Sequence, residues 1–242
     1  MPTRLPDLRR RREADELLDG AGHDPALLAA NLADIRRVNR LGGGTRVVLR
    51  SLPPLLDGLP PGRPVSIIDL GTGSADVPVA VADWMRRRGR SCRIVASDLS
   101  DEVLAVAAAT VGDRPDIVLH RADALATGAP DAGFDIVLCS LTLHHLDYGD
   151  GVRLLREMAR VARVGFVLND VARGWAGYAV AWAASRVATR NPMTRHDMPL
   201  SVERAWSPDE LRAMLADGGL LERSRVETHP LFRMAAVYRA SG

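Results

Sequence analysis

The sequence predicts an α/β protein built on a mostly parallel sheet of seven strands that ends in an antiparallel hairpin. Three observations predict this fold. Short apolar segments alternate with helical patterns from position 65 onward, which is typical of right-handed crossovers in a sheet covered on both faces. The first segment ends in an acid and then glycines, as a buried parallel strand does. The last two strand segments have only a short connection through Pro230, which indicates a hairpin.

The individual elements follow from the apolar patterns. Asp24 and Pro25 form a helix start, with an N-cap and a proline at the first helical position, and glycines 42–44 end that helix. The helices predicted after it cover residues 45–52, 77–88, 101–110, 151–164, 174–188 and 208–218. The predicted strands cover residues 65–70, 93–98, 117–120, 135–140, 166–170, 222–228 and 232–239.

Four segments are expected along the chain. Residues 1–58 form an N-terminal helical cap whose Arg-rich first 12 residues are frayed or dock late, and residues 65–172 and 205–242 form the core. Between the two core parts, 173–204 is an insertion: an apolar helix at 174–188, too short to span a bilayer, and a polar loop at 189–204. We expect this helix to cover the open carboxyl edge of the sheet as a lid. Packing against a second subunit, in a homodimer, is the alternative.

Composition excludes several classes of protein. The 242 residues are 47% apolar, which suffices for the core of one α/β domain with appended helices. The sequence contains no lysine, and its 32 arginines nearly balance 30 acidic residues. Because the net charge is small and aromatic side chains are few, a nucleic-acid partner is disfavoured. No apolar run is long enough to cross a membrane, and no apolar signal region follows the Arg-rich start, which predicts a cytoplasmic protein. Cys92 and Cys139 are expected to be buried thiols.

A glycine-rich turn follows the first predicted strand. Residues 69–75 (DLGTGSA) lead into a helix. Glycines there let the backbone approach a ligand, and the helix start offers free N–H groups to an anion. In a Rossmann-like sheet, ligands bind beside this first crossover. A nicotinamide dinucleotide fingerprint would have a third glycine at position 76, which is Asp76 here, so hydride transfer is disfavoured.

Acidic residues lie at or just after the ends of three successive strands: Asp69, Asp98 and Asp123. A carboxylate at the position of Asp98 can accept two hydrogen bonds from a ribose diol. Three carboxylates around one cleft would repel a pyrophosphate. They suit a ligand that carries a cation, an amine and a ribose.

These segments resemble class I S-adenosylmethionine-dependent methyltransferases. The stretches DLGTGSAD, SDLS, RADAL and FDIVLCSLTLHHL occur in the order and spacing of that family between positions 65 and 170. The front helices, the LREMARV–VLND stretch and RHDMPLSVERAWSPDEL resemble a subgroup of bacterial small-molecule methyltransferases of polyketide and phenolic pathways.

The resemblance implies S-adenosylmethionine as the cofactor. It implies the glycine turn under the methionine part, Asp98 on the ribose, Leu99 against the adenine, Asp123 near the adenine amine and Ser140 near the sulfonium. The cofactor-binding residues are then Asp69, Gly71, Thr72, Gly73, Asp98, Leu99, Asp123, Ala124 and Ser140. Ala75 stands where many relatives have a third glycine, and its small side chain is expected to preserve binding. Asn39 and Arg40 are expected either to touch the cofactor carboxylate or the acceptor, or, for Arg40, only to favour the helix dipole.

Three histidines are candidates for a catalytic base. Methyl transfer depends mainly on alignment, but a phenol or enol acceptor also gains from a base. His144 and His145 follow the fourth strand, and the resemblance implies that the first faces the acceptor while the second makes a structural hydrogen bond. His196, beside Asp197, is the third candidate, and a hydrogen-bonded histidine without catalytic duty is the alternative for each. No metal site is expected, since adjacent histidines lack ligand spacing.

The sequence therefore predicts an S-adenosylmethionine-dependent methyltransferase that acts on O or C of a small aromatic or polyketide-like acceptor. Two alternatives stay open. One is a cofactor-binding partner subunit without catalysis. The other, an RNA methyltransferase, is disfavoured by the charge balance and because residues 140–143 read Ser-Leu-Thr-Leu instead of an Asn-Pro-Pro-type motif.

Overall fold

The computed structural model describes residues 5–240 and confirms the predicted sheet. Residues 1–4 and 241–242, at the ends of the first and last predicted segments, lie outside the described residues. Seven strands have the order β3-β2-β1-β4-β5-β7-β6, with β7 antiparallel to both β5 and β6 and the other neighbours parallel. The strands are β1 (Val65–Leu70), β2 (Cys92–Asp98), β3 (Ile117–Arg121), β4 (Phe134–Ser140), β5 (Ala162–Val171), β6 (Ser224–His229) and β7 (Arg233–Arg239).

Helices cover both faces of the sheet, because neighbouring strand residues point to opposite sides. The helices are α1 (Pro25–Leu41), α2 (Gly44–Ser51), α3 (Pro53–Leu56), α4 (Asp76–Arg87), α5 (Asp101–Val111), α6 (Tyr148–Val161), α7 (Trp175–Val187), α8 (Pro192–Arg204) and α9 (Pro208–Asp217). Ile67 packs with α2, α3, α4 and α5 on one face, whereas Ile68 packs with α6 and α9 on the other. Both cysteines are buried and free, and none of the described helices has the length and apolarity of a membrane span.

The predicted polar loop at 189–204 is wrong, because most of it forms α8. Asn191 caps this helix by accepting hydrogen bonds from the backbone N–H groups of Met193 and Thr194. Polar residues of α8, among them Asp197 and Glu203, are buried against other polar groups. The helix therefore lacks the apolar periodicity on which the prediction depended.

The boundary between α6 and β5 also differs from the prediction. The helix was expected over 151–164, but it begins at Tyr148 and ends at Val161. Asp147 caps it by accepting the N–H of Asp150. Ala162 already belongs to β5. The prediction separated the two elements at Gly165, but this glycine lies inside β5. The apolar pattern continues from helix to strand without a visible break at the true boundary.

An N-terminal strap, defined as residues 8–23, lies across α8 and the short 3-10 turn Leu143–His145. Its Arg11 donates hydrogen bonds to the backbone oxygens of Arg204, His144 and Leu146 at 2.7–2.9 Å. The described part of the Arg-rich start, residues 5–12, is thus fixed in place at Arg11 by backbone carbonyl groups, which contradicts a frayed segment there. The strap continues into α1, whose N-cap Asp24 accepts the N–H of Leu27 as predicted.

Candidate functional site

One cavity of about 1100 Å³ lies at the carboxyl edge of the parallel strands. Its volume exceeds the roughly 300–1000 Å³ of ordinary ligand pockets, so it has room for two ligands side by side. The turn after β1 and the ends of β2, β3 and β4 form one part of its wall. The strap, α1, one face of α7, α8 and the β6–β7 hairpin form the other part.

The glycine turn adopts a backbone that glycine favours. Gly71 and Gly73 have φ of 66° and 54°. A Cβ on Gly71 would collide with the side chain of Thr142, whereas a Cβ on Gly73 would meet no protein atom within 4 Å. Gly71 is therefore required by packing, and Gly73 leaves open space beside the cavity. Ala75, in place of a third glycine, is buried and itself has φ of 57°.

Two of the predicted acids hold the turn and line the cavity. Asp98 accepts the backbone N–H groups of Gly73 and Ser100 at 3.0 and 3.1 Å, and burial raises its pKa. Asp69 accepts a hydrogen bond from the Thr72 hydroxyl at 2.7 Å through one oxygen, while its other oxygen is buried and has no partner among residues 5–240. Burial, with a smaller contribution from neighbouring carboxylates, raises the pKa of Asp69 to about 7. An orphaned buried oxygen beside an open glycine fits a ligand that brings a hydrogen-bond donor.

The remaining predicted cofactor residues surround the same space. Leu99 is largely exposed at the end of β2, and Asp123 accepts the N–H of Leu125 at 2.8 Å. Ala124 and Ser140 also border the cavity. The structure thus brings the nine predicted positions together: Asp69, Gly71, Thr72, Gly73, Asp98, Leu99, Asp123, Ala124 and Ser140. Their roles toward a cofactor stay predictions.

His144 is buried and held by one carboxylate on two sides. Its Nδ1 lies 2.7 Å from Asp170 Oδ1, and its backbone N–H donates to Asp170 Oδ2 at 3.1 Å. Burial opposes ionisation of Asp170, but the charge and hydrogen bond of His144 hold the pKa of this carboxyl below its ordinary value. An ionised Asp170 accepts a hydrogen bond from Nδ1–H, so the tautomer assigned from this network carries its proton on Nδ1 and leaves Nε2 as the acceptor.

The other two histidines have different surroundings. His145 Nδ1 lies 2.5 Å from Asp19 Oδ1, and Arg204 binds the second oxygen of that carboxylate. This agrees with a structural hydrogen bond, although His145 also borders the cavity. His196 pairs with Asp197 on α8, but its side chain is 50% exposed and lies outside the cavity wall. The geometry therefore does not support His196 as the base.

Glu16, on the strap, completes a cluster with the two histidines. Its Oε1 lies 3.6 Å from His144 Nε2, and burial raises its pKa to about 7 although His145 and Ser201 oppose the shift. Glu16, His144 and His145 offer ligand atoms within 4.8 Å of one another. The two imidazole rings, however, are only 4.2 Å apart and inclined by 38°. Rings stacked in this way are poorly placed to direct both in-plane lone pairs at one ion about 2 Å away, which favours a hydrogen-bonded cluster over a metal centre.

Sequence reasoning missed three residues of this site. Asp170 lies near the end of β5, so the rule that selected acids at strand ends could have found it. Glu16 lies in a charged segment without periodicity, where nothing indicated burial. Arg233 is one of 32 arginines, and only the structure shows that its side chain is buried at the cavity wall.

Comparisons with known proteins agree with this geometry. The family described as "Methyltransferase domain" matches residues 67–165, and no curated protein matches the chain. A crystal structure of an S-adenosylmethionine-dependent methyltransferase from Aquifex aeolicus has a TM-score of 0.63 at 18% identity, over 91% of this chain and 100% of that chain.

Two further solved structures are longer than this chain. The CurJ carbon methyltransferase has a TM-score of 0.65 at 12% identity and covers 91% of this chain and 62% of its own. Human N-acetylserotonin methyltransferase, solved with S-adenosylmethionine, has a TM-score of 0.61 at 14% identity. The match covers 90% of this chain and 57% of the human protein. The chain thus spans about three fifths of these two proteins. Residues 67–165 thus match a methyltransferase domain, and the chain shares the fold of these solved methyltransferases.

Proposed function

We propose that the chain transfers a methyl group from S-adenosylmethionine to O or C of a small aromatic or polyketide-like acceptor, with His144 taking the acceptor's proton. One observation carries the proposal. His144, whose Nδ1 lies 2.7 Å from Asp170 Oδ1, borders the same cavity as the glycine turn after β1.

The turn and the acids after β1 and β2 would hold the cofactor. Asp98 faces the cavity from the end of β2 and suits the ribose diol, while the unpartnered oxygen of Asp69 suits the ammonium group. Gly73 leaves the space that the bound molecule needs. When bound, S-adenosylmethionine supplies an activated methyl group on a sulfonium. The protein's task is then to align the acceptor with that group, which is the main source of rate in such a displacement.

His144 has the surroundings of a general base. Asp170 fixes the ring and its tautomer, as the orienting carboxylate does in other histidine-based sites. Nε2 then remains free to accept a proton from an acceptor hydroxyl or from an acidic C–H group. Glu16 lies 3.6 Å from Nε2, so a proton taken up by the imidazole has a second carboxylate within reach.

The apolar part of the cavity supports a small apolar acceptor. Gly177, Val180, Ala181 and Ala184 place one face of α7 on the cavity, at the spacing of successive helical turns. The β6–β7 hairpin contributes Phe232, which packs against Gly177: a Cβ added to this glycine would lie 3.0 Å from the Phe232 side chain. We propose that α7 acts as the lid of the acceptor site. The proteins to which the chain is similar include a carbon methyltransferase and an N-acetylserotonin methyltransferase.

The test is transfer from methyl-labelled S-adenosylmethionine to a panel of phenols and β-dicarbonyl compounds, with products identified by mass. We expect labelled product with at least one acceptor class, and loss of labelling in His144→Ala. The matched control is His196→Ala, whose side chain lies outside the cavity and which should retain wild-type turnover. Cofactor binding without any turnover on the panel or on cellular extracts would instead favour a non-catalytic partner subunit.

A further inference from the structure

Arg233 is a buried cation that no carboxylate of the described residues contacts directly. It is the first residue of β7, only 3% of the residue's surface is exposed, and it borders the cavity. Within the described part of the chain, its Nη1 has no hydrogen-bond partner. An unpaired buried charge is costly to a folded protein. Such a cost persists most readily at a site where a ligand brings the opposite charge.

Asp170 and Asp76 are the two carboxylates whose charges act on Arg233. Both already accept hydrogen bonds from other groups. Asp170 accepts from the ring and backbone of His144 and from the N–H of Val171. Asp76 accepts from Asn39 and Ser74 at 3.0 and 3.1 Å. Both carboxylates therefore act on Arg233 from a distance, and neither neutralises it by a direct ion pair.

The glycine turn between α1 and α2 makes room for this side chain. A Cβ on Gly44 would lie 3.2 Å from Cζ of Arg233, and a Cβ on Gly42 would lie 3.6 Å from its Nη2. The same Gly44 position abuts the side chain of Asn39, which reaches Asp76 at the start of α4. Arg233 thus lies on the side of the cavity where α1, α2 and α4 meet.

The sheet order places Arg233 and the predicted adenosine residues on opposite sides of β1. Asp98 and Asp123 follow β2 and β3, on one side of β1, whereas β4, β5 and β7 lie on the other side. Arg233 pairs with Val171 at the carboxyl end of β5. If the adenosine bound at Asp98 and Asp123, the methionine part would extend toward β4 and β5. The carboxylate of that part is the anionic group of the cofactor.

We propose that Arg233 binds the carboxylate of the cofactor's methionine part. The inference rests on S-adenosylmethionine as the cofactor and adds the residue that fixes its anionic end. Arg40, at the end of α1, was a sequence-based candidate for this role, but it is exposed and lies outside the cavity wall. An acceptor carboxylate is the other possible source of the same chemistry, and titration in the absence of any acceptor separates the two.

The test is calorimetric titration of the whole protein with S-adenosylhomocysteine and with 5′-methylthioadenosine, which lacks the amino-acid part. Arg233→Met should weaken S-adenosylhomocysteine binding by about 10- to 100-fold, as expected for a hydrogen bond between charged groups, and leave 5′-methylthioadenosine binding within about twofold. Arg233→Lys should be intermediate, because it keeps the charge but loses the bidentate geometry. Arg46→Met, exposed on α2, is the matched control and should match wild type with both ligands.

A second readout distinguishes ligand binding from a structural role. Without ligand, Arg233→Met should unfold at a temperature no lower than wild type, because an apolar side chain replaces an unpaired buried charge. Unchanged S-adenosylhomocysteine affinity, or an equal loss for both ligands, would overturn the proposal. Failure of the wild type to bind S-adenosylhomocysteine would overturn the cofactor assignment itself, a result that does not depend on the Arg233 variants.

Discussion

Asp170 holds His144 through both of its carboxylate oxygens, one on Nδ1 at 2.7 Å and one on the backbone N–H at 3.1 Å. This double contact fixes the position of the ring as well as its tautomer. Asp170 lies near the end of β5 and His144 lies in the turn after β4, so the contact joins two neighbouring strands at their carboxyl ends. The proposed base is thus supported by the sheet, while the strap and α7 close the cavity over it.

Replacement of Asp170 by Asn should remove the orienting charge with little change of volume. The amide introduced by Asp170→Asn could present an N–H to Nδ1 and so favour the tautomer in which Nε2 carries the proton. We expect turnover to fall by about 10²- to 10⁴-fold, with little change in the affinity for S-adenosylhomocysteine. Steady-state kinetics and calorimetry on the same preparation test this. Turnover within about threefold of wild type would show that orientation by Asp170 is unimportant.

Gly71 and Gly73 should respond differently to alanine. Gly71→Ala should lower the unfolding temperature, because its Cβ collides with Thr142 and its φ is positive. Gly73→Ala meets no protein atom, so it should cost only the strain of its φ, about 1–2 kcal/mol, yet obstruct cofactor binding. Thermal unfolding and calorimetry separate the two effects. Thr142→Ala should recover part of the stability lost in Gly71→Ala, and the absence of any recovery would contradict the assigned collision.

Asp98 should contribute to both the turn and the cofactor. Asp98→Ala removes the acceptor for the N–H groups of Gly73 and Ser100 and should weaken S-adenosylhomocysteine by about 1.5–3 kcal/mol. Calorimetry measures the affinity, and a denaturant titration measures the stability that the turn loses. Asp113→Ala, exposed after α5, is the matched control. An unchanged affinity in a folded Asp98→Ala protein would exclude Asp98 from the ribose site.

Docking of the strap should weaken as pH rises toward 7. The pKa of Glu16 is raised by burial from its ordinary 4.5 to about 7, so between these values the docked strap holds a proton that an undocked strap releases. Opening should become more favourable by up to about tenfold per pH unit in this range and level off above it. His23 also has a raised pKa, mainly through its hydrogen bond to the carbonyl of Leu17. Its contribution to docking of the strap is therefore also lost as the pH rises.

Hydrogen exchange of residues 8–23 across about pH 5–8, corrected for the intrinsic rate, measures this opening. Glu16→Gln keeps the size of the side chain and removes its titration, so the remaining pH dependence reports His23. We expect a flatter pH profile of exchange in Glu16→Gln. Identical profiles in the variant and the wild type would show that Glu16 does not control the strap.

The elements that follow a simple local rule could be predicted from the sequence. Strands β1 to β4 and their crossovers have strong apolar patterns, and the turn at 69–75 carries its own glycines, so the sheet and the cofactor half of the cavity were predictable. Helix α8 was not, because residues such as Asp197 are buried by pairing with the strap: its carboxylate accepts the N–H groups of Leu17 and Leu18. Long-range polar contacts of this kind leave no periodicity in the sequence.

The same reason explains two buried charges that the sequence did not reveal. Glu16 meets His144 across 128 positions, and Arg233 meets Gly44 across 189. Burial of each charge depends on tertiary packing, which neither composition nor spacing encodes. His196 was predicted as a candidate base because Asp197 beside it resembled an orienting carboxylate. On α8, however, its side chain is half exposed to solvent.

Removal of the acceptor's proton by His144 is tested by a comparison of two acceptors that differ in acidity. At about pH 7, His144→Ala should transfer the methyl group about 10²- to 10⁴-fold more slowly than wild type to a phenol that is still protonated. For a nitro-substituted analogue that is already ionised at the same pH, the two proteins should react at nearly equal single-turnover rates, since no proton remains to be removed. An equal loss of rate with both acceptors would contradict the account, because His144 would then act by alignment and not as a base.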